Sequence, residues 1–379
     1  MPELSQNRMN PFFSLLQSGL WEKPVDINDF VDINWQNINK VAIEQTVSGI
    51  IYDGLTTLPA DLQPDSALLK KWFALVMKTE QVNLVMNSVL TEIWVIYTDH
   101  GLSPVLLKGQ GLAQNYINPL RRQCGDIDIY IGENSYKEAN NVARSLGINS
   151  TFKNIKHLSF NYKNVFIENH RIINELFRPR DTRNFNKMVN RFFPDNTSVK
   201  TINNFHITIP SVQFDALFIL LHLSNHFYVG GIGLRQLCDW ARFLFTHHKD
   251  IDINMLEEDL KSVNLIKEWT VFGYIVVHYL GLPIEYMPFY TEKVADKSHL
   301  TLRLIMKEGN FGFYNNEFEQ RPKNYFAGKL FSVRKNISRV RILHSIFPNK
   351  IFWCYTHYIW RGIGQLFFEL TSRFSLHSK

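Results

Sequence analysis

The chain has 379 residues, of which 45% are hydrophobic, 14% aromatic and 20% charged; that is enough apolar material for one large or two to three ordinary domains, and it excludes a disordered chain. Its three cysteines, Cys124, Cys238 and Cys354, stand far apart, which excludes a disulfide framework or a paired-cysteine metal knuckle and predicts no disulfide-linked partner in a reducing, cytoplasmic setting. The net charge of +6 is unevenly spread: residues 321–379 hold eleven Lys or Arg against one acid, Glu369, a local +10 that leaves −4 for the 320 residues before it.

The opening "MPELSQNRMNPFFSLLQ" lacks the basic and apolar runs of a signal peptide, and no window of about 18 residues is apolar throughout, so no spanning helix is expected. Residues 10 to 100 read as helical. "NKVAIEQTVSGIIYDGL" places Val41, Ile43, Val47, Ile50 and Ile51 at three-to-four spacing, and the stretch from Ser66 repeats the pattern until Gly101 can cap it. "LPADLQP" between them is loop chemistry. From residue 103 the period changes: "PVLLK" suits a short buried strand, and "GDIDIYIG" alternates strictly. "SYKEANNVARSLG" follows as a helix closed by Gly147, then "HLSFNY" and "NVFIENHRI" as strands joined by the turn "NYKN", then "NNFHITIP" as a later strand. From Val212 the helical period returns in "VQFDALFILLHLSNHFYVGG", "LRQLCDWARFLFTHH" and "NLIKEWTVFGYIVVHYLG"; the last sixty residues are aromatic, basic and helical, broken at "FPNK".

The expectation is an α+β protein. A small mixed sheet at 101–210 is flanked by a helical region at 1–100 and another at 211–379 that ends in the basic tail.

On a strand, alternate residues share a face. Ile127, Ile129 and Ile131 therefore point into the core, while Asp126, Asp128 and Tyr130 point the other way. Two carboxylates so placed have roots roughly 6.5 to 7 Å apart and can converge on divalent ions that stand about 3.5 to 4 Å apart in a two-metal site. Magnesium takes a few carboxylates and otherwise water or phosphate, so a sparse pair is its expected signature. Upstream, Gly109 and Gly111 follow the strand "PVLLK" and open a short helix; backbone N–H groups at that turn, the positive helix end and Lys108 together make a seat for phosphates. A dinucleotide fingerprint is excluded because "GQGLAQ" lacks the third glycine. A Walker loop is excluded because the lysine precedes the glycines, and a calcium loop by its spacing.

A glycine turn followed about a dozen residues later by Asp-x-Asp on a strand resembles the polymerase-beta-like nucleotidyltransferase superfamily. "LLKGQGLA…R…GDIDIYI" is similar to a bacterial family of uncharacterised nucleotidyltransferases marked by LKG and GDID. "VFIENHRI" and "HFYVGGIGLRQLCDWARFL" extend the likeness over roughly residues 80–245. The resemblance implies that Asp126 and Asp128 hold the metal ions, that Gly109 and Gly111 shape the triphosphate turn, and that Arg122, four residues before Asp126, also serves the nucleotide. Glu168 stands where these folds place a third carboxylate on a neighbouring strand. The superfamily more often has aspartate there, which leaves the exact role of the longer side chain open.

The strand pattern of "NVFIENHRI" agrees: Glu168 and His170 share one face, Val165 and Ile167 the other. Glu168 is a candidate to ligate the metal and to act as base on an acceptor hydroxyl; His170 is a supporting partner rather than a ligand, since magnesium prefers oxygen. His222 and His226 share a helical face at i and i+4, but neither a following Glu nor a third ligand makes a zinc-protease motif. After a glycine run expected to be mobile, Arg235, Gln236 and Asp239 open a helix. Arg235 either reaches phosphate or acceptor, or pairs with Asp239 one turn on.

The expected activity is transfer of a nucleoside monophosphate from an NTP, with Mg²⁺ or Mn²⁺, to an acceptor that the sequence does not select: a sugar phosphate or glycan precursor, a small molecule, a protein or an RNA end. The alternatives are a non-catalytic nucleotide-sensing or partner-binding protein that kept the fold, and an RNA- or tRNA-modifying enzyme. Residues 321–379 are expected either to meet an anionic membrane surface or nucleic acid, or to form a solvated basic face. The aromatic stretch "IFWCYTHYIW" within them is either an interfacial helix, placing the protein at the inner membrane face, or a core helix.

Overall fold

A computed structural model describes residues 10–30, 32–146, 152–153, 157–310, 324 and 339–356. Four helices come first: α1 (Pro11–Trp21), α2 (Trp35–Glu44), α3 (Ser48–Leu55) and α4 (Ser66–Asp99). The Asp65 carboxylate caps α4 by accepting from the Ala67 and Leu68 N–H groups, both at 2.9 Å. Gly101, at φ +71°, ends it in the left-handed conformation that glycine adopts without steric cost, and the Leu102 N–H closes back on the Tyr97 carbonyl at 3.0 Å.

β1 (Val105–Leu107) leads into α5 (Gly109–Ala113), and β2 (Ile127–Tyr130) into α6 (Gly132–Ser145). Gly147, expected to close α6, lies outside the described residues. β3 (Phe152–Lys153), β4 (His157–Tyr162) and β5 (Val165–His170) complete a five-stranded sheet of order β1-β2-β5-β4-β3. β2 and β5 run parallel, and every other neighbouring pair is antiparallel; the sheet is mixed, as the order of periodicities predicts. Lys163 and Asn164, at φ +49° and +65°, turn the β4–β5 hairpin with the pair of left-handed residues that matches strand twist.

After α7 (Pro179–Phe192), β6 (Thr197–Ile202) and β7 (Phe205–Pro210) form a separate two-stranded sheet. The rest is helical: α8 (Val212–Val229), α9 (Leu234–His247), α10 (Ile253–Ser262), α11 (Ile266–His278) and α12 (Ala295–Glu308), with more helix at 339–346 and 348–356 on either side of the break at Phe347.

Two hydrophobic cores result. One joins the sheet, α6 and the second half of α4 through Ile93, Ile129, Phe160 and Ile167. The other gathers helices from both ends of the chain, including Leu15, Ile51, Phe218, Trp240, Trp269 and Ile351. α4 serves both, placing Trp72 and Val76 in the helical core and Met86 to Tyr97 in the sheet core. The turn after β1 straddles them, because Leu106 faces the sheet core and Leu107 the helical one. A cleft opens at that boundary.

Among the described residues, no helix is long and apolar enough to cross a membrane. Of the aromatic stretch at 351–360, Ile351 and Cys354 are buried, Trp353 and Tyr355 pack against the helical core, and Phe352 is 62% exposed; its remainder, and most of the basic tail, lie outside the described residues.

Candidate active site

Strand register builds the charged wall of the cleft. Asp126 immediately precedes β2 and Asp128 lies within it. The parallel pairing with β5 sets Asp128 beside Glu168 and Tyr130 beside His170. On the other side of β5, Ser159 pairs with Glu168 and His157 with His170. The core-facing residues between them, Ile127, Ile129 and Ile167, are at most 1% exposed. Asn169, also on the core face, is satisfied there by Tyr97, whose hydroxyl lies 2.7 Å from its Nδ2 and 3.0 Å from its Oδ1. The period-two reading of both strands holds.

Asp128, 4% exposed, is the centre of the cluster. Lys108 Nζ stands 2.9 Å from its Oδ2, and His170 Nε2 stands 2.7 Å from its Oδ1. His170 Nε2 is also 3.4 Å from Glu168 Oε2, while Glu168 Oε1 accepts from the Ser159 hydroxyl at 3.1 Å and faces His157 Nε2 at 3.6 Å. Burial works against the charge on Asp128, but Lys108 and His170 outweigh it and hold this carboxyl well below its ordinary range. Burial likewise opposes a charged His170, yet the hydrogen bonds to Asp128 and Glu168 prevail and raise it to about 9. Burial would lift Glu168 too, but the His170 hydrogen bond leaves it lower than usual. Asp126 is the exception: repulsion from Asp128, then burial, pushes it up to about 6. One carboxylate in this group therefore lacks sufficient counter-charge.

Ligand atoms of Asp128, Glu168 and His170 all lie within 4.8 Å of one another, with Asp126 beside them. Carboxylate oxygens on one face, crowded enough that one resists ionisation, are a donor set that fits a hard divalent cation. Asp128, Glu168 and His170 form the group that could hold it.

The phosphate turn differs in part from expectation. α5 has five residues, too short for a substantial dipole, so what the turn offers is backbone N–H groups and Lys108. Gly109, at φ +41°, lines the cleft. Gly111 is buried beneath it: its N–H is used by the Lys108 carbonyl at 2.9 Å, and a Cβ there would lie 3.4 Å from Ile209 Cγ2. Gly111 permits the turn to pack on β7 rather than facing the cleft.

Arg122 lines the cleft, but its guanidinium is engaged within the protein. It is 3% exposed, and its Nε and Nη2 form a two-point pair with Asp239 at 2.6 and 2.7 Å, while Nη1 reaches Cys124 Sγ at 2.9 Å. The Tyr116 hydroxyl adds a third bond to Asp239 at 2.7 Å, and the Cys124 thiol donates to Gln110 Oε1 at 2.6 Å. This buried hub ties the loop between the glycine turn and the aspartates to α9. Asp239 is thus engaged by Arg122, not by Arg235. Arg235 bonds the Gln123 carbonyl at 2.9 Å through Nη1 and lies near enough to Asp126 to favour its charge. The glycine run before α9 is held in place: Ile232 is fully buried, and a Cβ on Gly233 would stand 2.8 Å from the Gln45 carbonyl.

Sequence reasoning missed the partner of Lys108. His222, on α8, turns its ring nitrogens to within 3.3 and 3.4 Å of Lys108 Nζ. Burial and then Lys108 hold His222 neutral, and the same causes lower His226 to about 4. The i, i+4 pair visible in the sequence is real, with ring centroids 4.4 Å apart, but it belongs to the lysine.

The cleft encloses about 480 Å³, a volume suited to a nucleotide-sized ligand. The charged wall faces Ile219, Leu223 and Phe177 across it. A family model described as uncharacterised nucleotidyltransferase matches residues 31–281. The chain belongs to this nucleotidyltransferase family. The matched span contains both walls of the cleft, from the Lys108 turn to α9, and leaves α12 and residues 339–356 outside it. No curated protein and no solved structure matches the chain.

Proposed function

We propose that this nucleotidyltransferase moves a nucleoside monophosphate from an NTP to a hydroxyl group of an acceptor, releasing pyrophosphate, in the cleft between the sheet and α8–α9. The observation that carries the reading is the cluster of Asp128, Glu168 and His170 in a cleft of about 480 Å³, with Asp126 lining the same cleft beside the Lys108–Gly109 turn. Mg²⁺, or Mn²⁺, bound by the three carboxylates would neutralise charge on the triphosphate. The remaining work falls to the chain. Lys108 and the Gly109 turn seat the phosphates, and Arg235 faces them from α9. Glu168, kept ionised and oriented by Ser159 and His170, takes the proton of the acceptor hydroxyl as the new O–P bond forms and the bond to pyrophosphate breaks. Arg122 and Asp239 hold the two halves of the site in register without touching substrate. His170 fixes the rotamer of Asp128. Such a reaction needs positioning and charge neutralisation more than covalent catalysis.

The test incubates each α-labelled NTP with Mg²⁺ or Mn²⁺ and cell extract, using the wild type and Asp128→Ala. Label should enter an acceptor with the wild type and fall by roughly a thousandfold or more in the variant. Equal transfer by both would remove the catalytic assignment; nucleotide binding with no transfer by either would favour a nucleotide sensor built on the same fold. The excess of basic residues in 321–379 supports contact with a polyanionic surface, which a salt titration of liposome and RNA binding, with and without that segment, would measure.

A further inference from the structure

Lys108 holds an unusual position. It follows β1 with φ +52° and ψ −134°, a positive-φ region that favours glycine and costs a residue with a side chain roughly 1–3 kcal/mol. The conformation carries its side chain away from the sheet and into the cleft. There its ammonium lies 2.9 Å from Asp128 Oδ2, with 15% of the lysine side chain and 6% of the aspartate side chain exposed. His170 takes the other oxygen at 2.7 Å. Both oxygens of the central carboxylate are therefore already engaged by cationic donors.

A divalent ion coordinated by Asp128 Oδ2 would stand about 2.0–2.2 Å from it, which brings it into the space beside the ammonium. Two positive charges at such separation in a buried site repel by several kcal/mol. The ammonium is held only loosely on its other side. Its second neighbour, His222, holds it only at 3.3 to 3.4 Å, longer than a strong hydrogen bond. The lysine stem stands next to Gly109, which lines the same cleft.

We propose that Lys108 is a resident counter-ion: it occupies the place of the metal on Asp128 and leaves it for the triphosphate when metal and nucleotide arrive, so that the two bind cooperatively. The proposal rests on the nucleotidyl-transfer reading of the cleft. In the empty protein the lysine lowers the repulsion among Asp126, Asp128 and Glu168. In the loaded protein the same charge sits on phosphate oxygens, where it helps hold the donor. Metal alone binds weakly because it must displace the lysine without giving it a new partner. A nucleotide supplies that partner.

The experiment titrates the full chain with Mn²⁺ alone, reading free Mn²⁺ by electron paramagnetic resonance, for the wild type, Lys108→Met, Lys108→Arg and Asp128→Asn. Lys108→Gln replaces the Met variant if its far-UV circular dichroism shows misfolding. Lys108→Met should bind Mn²⁺ at least about tenfold more tightly than the wild type, a change of about 1.4 kcal/mol, whereas Lys108→Arg should keep wild-type affinity and Asp128→Asn should lose it. A lysine with a merely structural role would leave Mn²⁺ affinity unchanged or lower it on removal. If Lys108→Met binds no more tightly than wild type while Asp128→Asn still abolishes binding, the counter-ion role is overturned and the metal site stands. If the wild type binds no Mn²⁺, with or without a non-hydrolysable ATP analogue, the metal site and the counter-ion role both fall.

Discussion

The two walls of the cleft spend their polar groups differently. On the sheet wall, Lys108, Asp128, His170 and Glu168 form one contiguous charged cluster that Asp126 adjoins. Their charges are balanced only as a group, and Asp126 is left resisting ionisation. On the helical wall, the buried ionisable groups are paired or neutral: Arg122 is engaged by Asp239 and Cys124, and His222 and His226 are held neutral; half-buried Arg235, bonded to the Gln123 carbonyl, is the exception. A strand exposes every second side chain on one face, so two short parallel strands can concentrate carboxylates on one side while the one polar residue on the core face, Asn169, is satisfied by Tyr97. A helix facing a cleft must bury most of its circumference, so its ionisable groups survive only paired or neutral. Reactivity collects on the sheet, and the helices supply shape and register.

The sharpest way to break this contrast is to neutralise one acid on each wall. Asp126→Asn on the sheet wall should lower labelled nucleotidyl transfer by roughly a thousandfold. It should also make the metal-free protein more stable, by about 1–3 kcal/mol, because the repulsion from Asp128 disappears. Urea unfolding in EDTA measures the second effect. Asp239→Ala on the helical wall should act in the opposite sense. It strands Arg122 in a site where the guanidinium is 3% exposed and should cost about 3–5 kcal/mol of stability. Activity per folded molecule should fall far less than with Asp126→Asn. If Asp126→Asn destabilises the protein as much as Asp239→Ala does, the division between reactive and structural walls is wrong.

The same division decided what the sequence could reveal. The acids of β2 and β5 were legible because strict alternation is a local signal, and so was the β4–β5 turn, since Lys163 and Asn164 lie between two apolar runs. α7 does carry a helical signal, since Phe185, Met188, Val189 and Phe192 recur at i, i+3, i+4 and i+7 among Arg and Asn and are buried; its low mean hydropathy hides that signal from a reading that looks for long apolar runs. β6 is mostly exposed or half-buried and reads as polar loop, and β3 is only two residues long. The pairings of the helical wall were beyond local reading altogether. Arg122 meets Asp239 across 117 positions, and Lys108 meets His222 across 114. The motif around Arg122 points to the nucleotide, although its guanidinium bonds an acid that only tertiary packing brings near. His222 and His226 were noticed for their spacing, which marks a shared face but not what that face meets.

The smallest expected effect tests whether α8 tolerates an ionised acid outside a closed pair. Asp215 lies in the first turn of α8, 5% exposed, and its Oδ1 has no hydrogen-bond partner among the described residues. Burial alone pushes this carboxyl well above its ordinary value of 3.8. A raised acid keeps its proton in the folded state after the unfolded chain has lost it, so the native state binds more protons and stability falls as pH rises. The decline begins near 3.8, where the unfolded carboxyl titrates, and continues towards neutrality. Asp215→Asn has nearly the same shape and cannot ionise. Near pH 3.5 it should match the wild type within a few tenths of a kcal/mol, and at pH 8 it should be more stable by about 1–3 kcal/mol. Urea midpoints at the two pH values measure the difference. A gap that does not widen with pH would mean that Asp215 is ionised and compensated in the folded protein, and that α8, like the sheet, can hold a charge outside a closed pair.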